Sequence, residues 1–451
     1  MRKLSQLQKI MCQMKCRKCD KSSCIVARQK DPFCKDCFNS YFEHKFRATF
    51  GKYRMIEKGE IVLVPLSGGR CSSVLKHLID ITVKKDFKTG NSLLNFKPIY
   101  LYIDDYIPTL GKQYDSNCSY FDSDNLSNEK QCTCYISKNI NKILDMYRPL
   151  IDINSLFITF LDIVHYNYDE KFTNNERILP LFTDVSQYLK IRHQFVNNTP
   201  HESPLNLLLN LPNNKYPFRK TLIKIIKKNI VVNACSHLKI KKALMGDYNT
   251  LIATELMSSL IMGAGAQMSN QVTFSQSVGG VTIVRPLKDV TSKEIAYYMH
   301  VNHLKSVITS DSILSNNVHN QSSIEVLTSN FLSNLQPEFP SLNNAICKIG
   351  DKVKMENDKV LNKKLSNQTR VCQFCKEFSR HLYPYIVTDG FSNKEIAFNE
   401  YDYVDDENKC IGNPNDPRMP KSVDAVLLCY RCYNVLQPLD TKLLPRILFY
   451  E

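Results

Sequence analysis

Apolar and polar positions alternate through the middle of the chain as expected of strands that are each followed by a helix. Residues 61–64 (IVLV) form a short apolar run, and Val74, Leu75, Leu78 and Ile79 then recur at the spacing of one helix face. Four further runs predict strands, over 98–103, 156–164, 242–247 and 281–286. Strands that alternate with helices predict an α/β domain whose mostly parallel sheet binds ligands at the carboxyl ends of its strands.

A helix is also predicted between the last two of these strands. It rests on five apolar residues at helical spacing, Ala253, Leu256, Met257, Leu260 and Ile261.

Breaks in this pattern divide the chain of 451 residues, whose length is typical of about two to four domains. The predicted parts are a cysteine-rich module over 1–55, the α/β domain over 56–307, a linker or helical segment over 308–370, and a second cysteine-rich module over 371–451. Residues 107–140 are polar and rich in Ser and Asn, which predicts a flexible insertion within the α/β domain.

Charge and hydropathy narrow the class of protein. Lysine and arginine outnumber aspartate and glutamate by 59 to 44, and the formal charge of +15 favours a polyanionic partner, although a basic surface can also serve solubility alone. No stretch approaches the roughly 18 apolar residues that cross a membrane, and the first residues lack the apolar core of a secretory signal. We therefore expect a cytoplasmic protein without a membrane partner.

Seventeen cysteines in a chain with no secretory signal favour metal sites over disulfides, because the cytosol keeps thiols reduced. Cys16-x-x-Cys19 and Cys34-x-x-Cys37 are separated by fourteen residues, and two tight turns at this spacing present four thiolates to one tetrahedral zinc. An iron–sulfur cluster and chance are the alternatives. Cys12 and Cys24 fall outside the pattern and are interpreted as spare thiols, with Cys24 a candidate alternate ligand.

A second set of two pairs lies near the end of the chain. Cys372-x-x-Cys375 and Cys429-x-x-Cys432 predict a second structural zinc, while four ordinary cysteines in a small core are the alternative. The 53 residues between the pairs exceed what a compact ribbon needs, so we expect them to carry a small structure of their own or to be loosely ordered. Cys410 in this stretch is expected to be exposed.

The turn after the first predicted strand has the composition of a phosphate-binding site. Gly68 and Gly69 let the backbone approach a phosphate closely, the following helix offers unpaired N–H groups, and hydroxyl donors are available. Those hydroxyls belong to Ser67, Ser72 and Ser73. A tight turn with serines capping the helix explains the same residues, and the sequence leaves the two interpretations open.

The order of motifs along the chain resembles the cytoplasmic tRNA 2-thiolation protein 2 family over nearly the whole length. The motifs are the N-terminal cysteine pairs running into Cys37-Phe38, then Tyr41, HKFR over 44–47, PLSGG over 65–69, GDYNTLIATELMSSLIMGAGAQ over 246–267, RPLKD over 285–289, CQFC over 372–375 and CYRC over 429–432.

The resemblance implies a PP-loop fold of the adenine nucleotide alpha hydrolase type, flanked by zinc-binding modules. It further implies 2-thiolation of the wobble uridine in the lysine, glutamate and glutamine tRNAs, with sulfur from the thiocarboxylate of a ubiquitin-related modifier. The implied assembly is a heterodimer with a catalytic PP-loop subunit, which adenylates the base with ATP.

This sequence departs from the catalytic pattern of PP-loop relatives at several positions. In the motif S-G-G-x-D-S, Ser67, Gly68, Gly69 and Ser72 match, but Cys71 replaces the aspartate. The cysteine pair that precedes an F-R-R run in catalytic relatives is missing before Phe218-Arg219, and the G-H-N-x-D-D motif is degraded to GDYNT over 246–250. We therefore expect a subunit with no catalytic residue of its own, and ATP binding at the degenerate loop stays open.

Two other functions remain on the sequence alone. In the first, the chain is itself an ATP-dependent sulfurtransferase that uses Cys71, Cys132 or Cys134. In the second, it is a nucleic-acid-binding protein stabilised by zinc, with no enzymatic association. Cys235 is a weaker candidate nucleophile, since a free buried cysteine commonly packs as a small apolar residue.

The stretch HKFRATFGKYR over 44–54 interleaves cations with aromatic rings. We expect Lys45, Arg47, Lys52 and Arg54 to contact the tRNA backbone. The alternative is that Phe46, Phe50 and Tyr53 pack the N-terminal module onto the α/β domain while the cations stay solvated.

Overall fold

A computed structural model gives the fold of the protein. It describes residues 14–27, 31–89, 96–104, 141–143, 145–146, 156–160, 181–189, 191, 218–265, 272–307, 323–352, 370–379, 383–386 and 425–437. The predicted insertion over 107–140 lies outside these ranges, as do Cys12, Cys132, Cys134 and Cys410.

The N-terminal module is a short hairpin followed by a long helix. Strands β1 (Ile25–Ala27) and β2 (Asp31–Phe33) pair antiparallel, and helix α1 (Lys35–Tyr53) follows directly. The buried face of α1 is almost entirely aromatic, formed by Phe38, Tyr41, Phe42, Phe46 and Phe50. These rings join the same hydrophobic core as the α/β domain, so the module packs on that domain rather than standing apart.

The α/β domain supplies a six-stranded sheet and its flanking helices. In chain order its elements are β3 (Glu60–Leu66), α2 (Arg70–Thr89), β4 (Phe96–Asp104), β5 (Leu156–Phe160), α3 (Arg219–His237), β6 (Lys242–Leu244), α4 (Asn249–Ile261), β7 (Ser275–Val278), β8 (Val281–Val284) and α5 (Ser292–Val301). The strand order is β5-β4-β3-β6-β8-β7, and every neighbouring pair is parallel except β7 with β8.

Alternation along β3 builds a core on both faces of the sheet. Val62 and Val64 point into the cluster that contains Leu78 of α2, whereas Leu63 between them packs with Val231 of α3. A strand covered on both sides is continuously apolar, which is why the buried residues 62–64 include no polar side chain, whereas Ile61 before them is 43% exposed. From β3 the chain adds β4 and β5 on one side and later β6 and β8 on the other, so the topological switch point lies between β3 and β6. In open α/β sheets, ligands bind in the crevice at the carboxyl ends of the strands at this point.

The C-terminal part of the chain packs against this domain. Helix α6 (Ile324–Leu335) and a helical segment over 342–352 contact α4 and bury Leu332 and Ile346 there. The remaining elements form the C-terminal module, and they are β9 (Arg370–Val371), β10 (Phe378–Ser379), β11 (Tyr383–Ile386), β12 (Ala425–Leu428) and α7 (Tyr430–Leu436).

The α/β class and the mostly parallel sheet predicted from the sequence are confirmed, with a cysteine cluster at each end of the chain. The antiparallel edge strand β7 was not predicted, because its sequence Ser-Gln-Ser-Val lacks an apolar run. Leu260 and Ile261, on the predicted helix, are exposed rather than buried. Across the described ranges, none of the helices is long and apolar enough to span a membrane.

Candidate functional site

The four cysteines of the N-terminal pairs meet at one point. Their sulfur atoms all lie within 4.8 Å of one another, and Cys19 Sγ lies 3.5 Å from Cys34 Sγ and 3.6 Å from Cys37 Sγ. A tight turn closed by the hydrogen bond from Cys16 N to Lys21 O presents the first pair, and the junction of β2 with α1 presents the second. Two local turns thus build the cluster, as the spacing predicts.

The geometry of this cluster fits a single tetrahedral ion. A zinc–sulfur bond of about 2.3 Å places ligand sulfurs about 3.8 Å apart, close to the separations seen here. Although burial opposes ionisation, backbone N–H groups of Cys34, Lys18 and Cys19 lower the pKa of Cys16 to about 6. Burial chiefly raises the pKa of Cys37 to about 12, so the backbone favours the metal-binding thiolate at Cys16 rather than at every cysteine of the cluster.

Cys24 is not part of the N-terminal cluster. It is exposed, and its thiol interacts with the hydroxyl of Tyr297 in α5, whose pKa is raised chiefly by burial and then by that contact. The structure therefore gives the four ligand positions to Cys16, Cys19, Cys34 and Cys37.

The C-terminal cysteines form a second and more deeply buried cluster. Cys372, Cys375, Cys429 and Cys432 are each at most 2% exposed, and their sulfur atoms again lie within 4.8 Å of one another. Cys375 Sγ and Cys429 Sγ are 3.8 Å apart, which fits one tetrahedral ion. Hydrogen bonds from the three neighbouring thiols hold the pKa of Cys372 far below its usual value, whereas the hydrogen bond with Cys372 raises the pKa of Cys375 and burial raises that of Cys432. Pairing of β11 with β12 closes part of the long loop between the two cysteine pairs.

The Ser67-Gly68-Gly69 turn is closed by its own hydrogen bonds. The hydroxyls of Ser72 and Ser73 both donate to Gly69 O, at 2.9 and 3.0 Å, and Ser67 Oγ lies 3.3 Å from Ser72 Oγ and accepts from Gly69 N. The hydroxyls predicted as phosphate donors are thus engaged within the turn. This arrangement agrees with the interpretation of a tight strand-to-helix turn.

Neighbouring residues also cover Gly68. Val307 N donates to Gly68 O at 2.9 Å, and a Cβ on Gly68 would lie 3.3 Å from Ile143 Cγ1. Gly68 has a φ of +73°, a conformation that other residues adopt only with strain. Glycine is therefore needed here for the shape of the turn, whether or not a phosphate binds.

Cys71 lies in the first turn of α2, beside the turn that follows β6. Burial, and then the negative charge of Asp247, raise the pKa of the Cys71 thiol to about 12, while Arg70 opposes the shift. Gly246 packs on the backbone of Cys71, with a Cβ position 3.5 Å from its carbonyl carbon. Cys71 is consequently protonated at neutral pH and is a poor nucleophile, since the thiolate is the reactive form.

Cys235 offers no better nucleophile. Its side chain is fully buried in α3, and burial raises the pKa of its thiol to about 12. It packs as a small apolar residue.

An ionic network occupies the carboxyl ends of β6 and β8, and the sequence did not predict it. Arg285, directly after β8, donates from Nε to Asp247 Oδ2 at 3.0 Å and from Nη2 to Gln276 Oε1 at 2.7 Å. Nearby, Lys224 Nζ pairs with Glu255 at 3.0 Å and with Glu325 at 3.1 Å. Asp247 and Arg285 stand at the ends of apolar runs, and this position was the one signal of the network in the sequence.

The cations predicted to contact tRNA differ in their surroundings. Lys45 Nζ lies 3.3 and 3.2 Å from the two carboxylate oxygens of Glu294 in α5, and its side chain is only 22% exposed. Lys52 and Arg54 are exposed at the end of α1, and Arg47 is half-buried. The structure therefore brings Lys45 into the contact between the N-terminal module and the α/β domain.

Comparison with known proteins supports the family resemblance. Residues 323–434 match the family model described as cytoplasmic tRNA 2-thiolation protein 2. The curated protein of that name from Danio rerio is 28% identical over 358 residues, which cover 75% of this chain and 67% of the relative. The Anopheles gambiae protein of that name is 22% identical over 445 residues, covering 94% and 92%. The resemblance predicted from the order of motifs is confirmed.

Solved structures include a similar chain. The U34-tRNA thiolase NcsA from Methanococcus maripaludis with its [4Fe-4S] cluster aligns over 80% of this chain and 91% of its own, with a TM-score of 0.48 and 17% identity.

Proposed function

We propose that this chain is a subunit of the cytoplasmic machinery for tRNA 2-thiolation and supports a catalytic partner. The proposal is supported by the match of residues 323–434 to the family model and by relatives of the same name that align over three quarters or more of the chain. It also agrees with the net charge of +15, which suits a polyanionic substrate.

The observation that carries the supporting role is the closed turn at Ser67-Gly68-Gly69. A catalytic PP-loop must offer donors to phosphate, but here the hydroxyls of Ser72 and Ser73 bond Gly69 O. The position of the motif's aspartate holds a neutral thiol, Cys71, which cannot help to hold a metal-bound nucleotide. We assign this chain no catalytic residue.

The finer details follow the family resemblance. The reaction is 2-thiolation of the wobble uridine in the lysine, glutamate and glutamine tRNAs, and a PP-loop subunit that forms a heterodimer with this chain performs the ATP-dependent step. Sulfur comes from a thiocarboxylated ubiquitin-related modifier, which reaches the tRNA through the complex.

Each cysteine cluster holds one structural zinc ion in this proposal. Four sulfurs within 4.8 Å suit one ion, whereas a cluster of several irons binds its cysteines through different metal atoms and spreads them further apart. Four protein ligands also close the coordination sphere, so each zinc stabilises its module and takes no part in chemistry. Elemental analysis of the purified chain checks this, with two zinc ions per chain expected.

The tRNA backbone contacts the exposed end of α1 in this proposal. Lys52 and Arg54 are the exposed cations there, and Arg47 lies on the same helix. Lys45 contributes through the packing of α1 against Glu294.

A reconstituted thiolation assay tests the function. ATP and a thiocarboxylated donor are added to tRNA with this chain alone, with the catalytic subunit alone, and with both, and 2-thiouridine is quantified. We expect product in quantity only when both chains are present. Thiouridine formed by this chain alone would make it a sulfurtransferase, and full activity of the partner alone would leave it only as a nucleic-acid-binding protein.

A further inference from the structure

One C-terminal segment contacts three parts of the α/β domain at the carboxyl end of the sheet. The segment is residues 323–352, which comprise α6, the helical segment over 342–352 and their connection, and it is called the strap below. The three parts are the start of α3, the turn over 246–250 after β6, and the loop over 285–290 after β8. The start of α3 belongs to this end because the helix runs back to the amino end of β6.

The first helix of the strap contacts α3 through Glu325. The carboxylate accepts from Thr221 Oγ1 at 3.0 Å and pairs with Lys224 Nζ at 3.1 Å. Glu325 is 7% exposed, and Thr221 is 1% exposed. A carboxylate buried this deeply is stable only while it has such partners, so a charge as well as packing joins α6 to α3.

The second helix of the strap contacts the turn and the loop from one face. Asn344, Cys347 and Asp351 are spaced i, i+3 and i+7, which places them on one side of the helix. Asn249 Nδ2 donates to Asn344 Oδ1 at 3.0 Å and to Cys347 Sγ at 3.6 Å. Lys288 Nζ donates to the two carboxylate oxygens of Asp351 at 2.5 and 2.7 Å. Asn249 is 2% and Lys288 4% exposed, so the strap supplies partners for polar groups that are almost completely buried.

The turn and the loop are also joined to each other. Asn249 N donates to Val290 O at 3.0 Å, and Arg285 Nε donates to Asp247 Oδ2 at 3.0 Å. Together they form the side of the crevice that lies towards β6 and β8. A movement of the strap would therefore reach both of them.

Close packing fixes the distance between the strap and α4. The Cβ position of Gly350 lies 2.8 Å from Leu256 Cδ1 and 3.0 Å from Val272 Cβ, so a side chain at position 350 would force the helices apart. Leu332 and Ile346 are buried in the same core. The polar contacts thus form at a separation that apolar packing sets.

We propose that the strap is an internal support that holds the turn over 246–250 and the loop over 285–290 in one shape, with or without a nucleotide. Ligands of open α/β sheets bind at this edge, where they contact such turns. Here side chains of the strap make contacts of that kind, through Asn344 to Asn249 and through Asp351 to Lys288. The proposal concerns contacts within the chain and does not rest on the metal sites or on the proposed reaction.

Hydrogen exchange of the full-length chain tests the support of the turn. Asn344→Ala removes an acceptor of Asn249 at an exposed position and introduces a better helix former, so the strap itself should not loosen. We expect exchange in the peptide over 246–252 to become roughly threefold faster or more, as for the loss of one hydrogen bond, with 342–352 unchanged.

Asp351→Asn tests the support of the loop. The substitution keeps the shape of the side chain but takes the paired carboxylate from the buried ammonium of Lys288. We expect exchange over 285–290 to become about tenfold faster or more, with β3 unchanged. Glu338→Gln removes the same charge at an exposed position of the strap and should change neither peptide. If Asp351→Asn speeds exchange throughout the chain, Asn344→Ala decides.

ATP with Mg²⁺ gives the last comparison. Exchange over 246–252 and 285–290 in the unaltered chain should be the same with and without the nucleotide, because the strap already holds both. A variant that leaves its own peptide unchanged or loosens only 342–352 would overturn the proposal, and so would protection of these two peptides by ATP. None of these outcomes bears on the thiolation assay, so the proposed function stands or fails separately.

Discussion

Replacing Lys45 with methionine should lower the stability of the protein without weakening its electrostatic attraction to tRNA. Methionine keeps an unbranched apolar stem of similar length but removes the ammonium. That ammonium contacts both oxygens of Glu294, at 3.3 and 3.2 Å, and Glu294 is 5% exposed. The change therefore removes a buried charge pair between α1 and α5.

The size of the effect follows from the other partners of Glu294. The carboxylate also accepts from Tyr41 Oη at 3.2 Å and from Thr291 N at 2.9 Å, as part of the capping box of α5. Because these donors remain, the cost is that of one hydrogen bond between charged groups, about 2 kcal/mol, rather than that of a stranded charge. For a domain of this size, that corresponds to a decrease in Tm of about 4–8 °C.

Lys52→Met is the matched control, since Lys52 is exposed at the end of the same helix. We expect it to change stability by less than about 0.5 kcal/mol. If Lys52 contacts a phosphate, the slope of log K against log salt for tRNA binding should flatten by about 0.7–0.9. The assays are thermal unfolding and filter binding over a range of salt. A flatter slope with unchanged Tm for Lys45→Met would refute the packing role and restore Lys45 as a tRNA contact.

Three other predictions follow from the sites. Cys34→Ser should halve the zinc content and increase proteolysis within 14–53, because the metal holds the N-terminal module; unchanged metal content would contradict the four-cysteine site. Cys71→Ala should leave thiolation by the heterodimer nearly intact, and a hundredfold loss, about 2.7 kcal/mol of transition-state stabilisation, would make Cys71 catalytic. Burial raises the pKa of Cys235 from 9.0 to about 12, so the unfolded chain loses this proton at a lower pH than the folded chain. The free energy of unfolding, measured with denaturant, should therefore fall as pH rises from 9 to 12, and it should fall less steeply in Cys235→Ala.

Features set by neighbouring residues could be predicted from the sequence. The two cysteine clusters rest on local turns whose spacing is visible in the chain, and the buried strand β3 is visible in the apolar run at 61–64. The pair of Lys45 with Glu294 joins residues 249 positions apart, and nothing in either local sequence specifies the other. The positively charged stretch 44–54 therefore suggested a nucleic-acid surface, although one of its lysines is used to hold two parts of the protein together.

The closed turn at Gly68 could not be predicted from the sequence for the same reason. Its serines are compatible with a phosphate site, and only the fold shows that Val307, 239 residues away, donates to the Gly68 carbonyl. The hydroxyl bonds within the turn depend on the rotamers of Ser72 and Ser73, which composition does not determine.

The cysteine at position 71 also becomes understandable from its surroundings. An aspartate there would place a second carboxylate beside Asp247, whose pKa burial already raises, and two like charges in a buried crevice cannot both ionise without a compensating cation. A catalytic nucleotide site meets that requirement with a metal ion, but here Asp247 is paired with Arg285, which also donates to Gln276 of β7. A neutral thiol removes the repulsion and keeps the helix start packed against Gly246. Loss of the aspartate thus suits a turn that is fixed from within, in keeping with the supporting role proposed above for this chain.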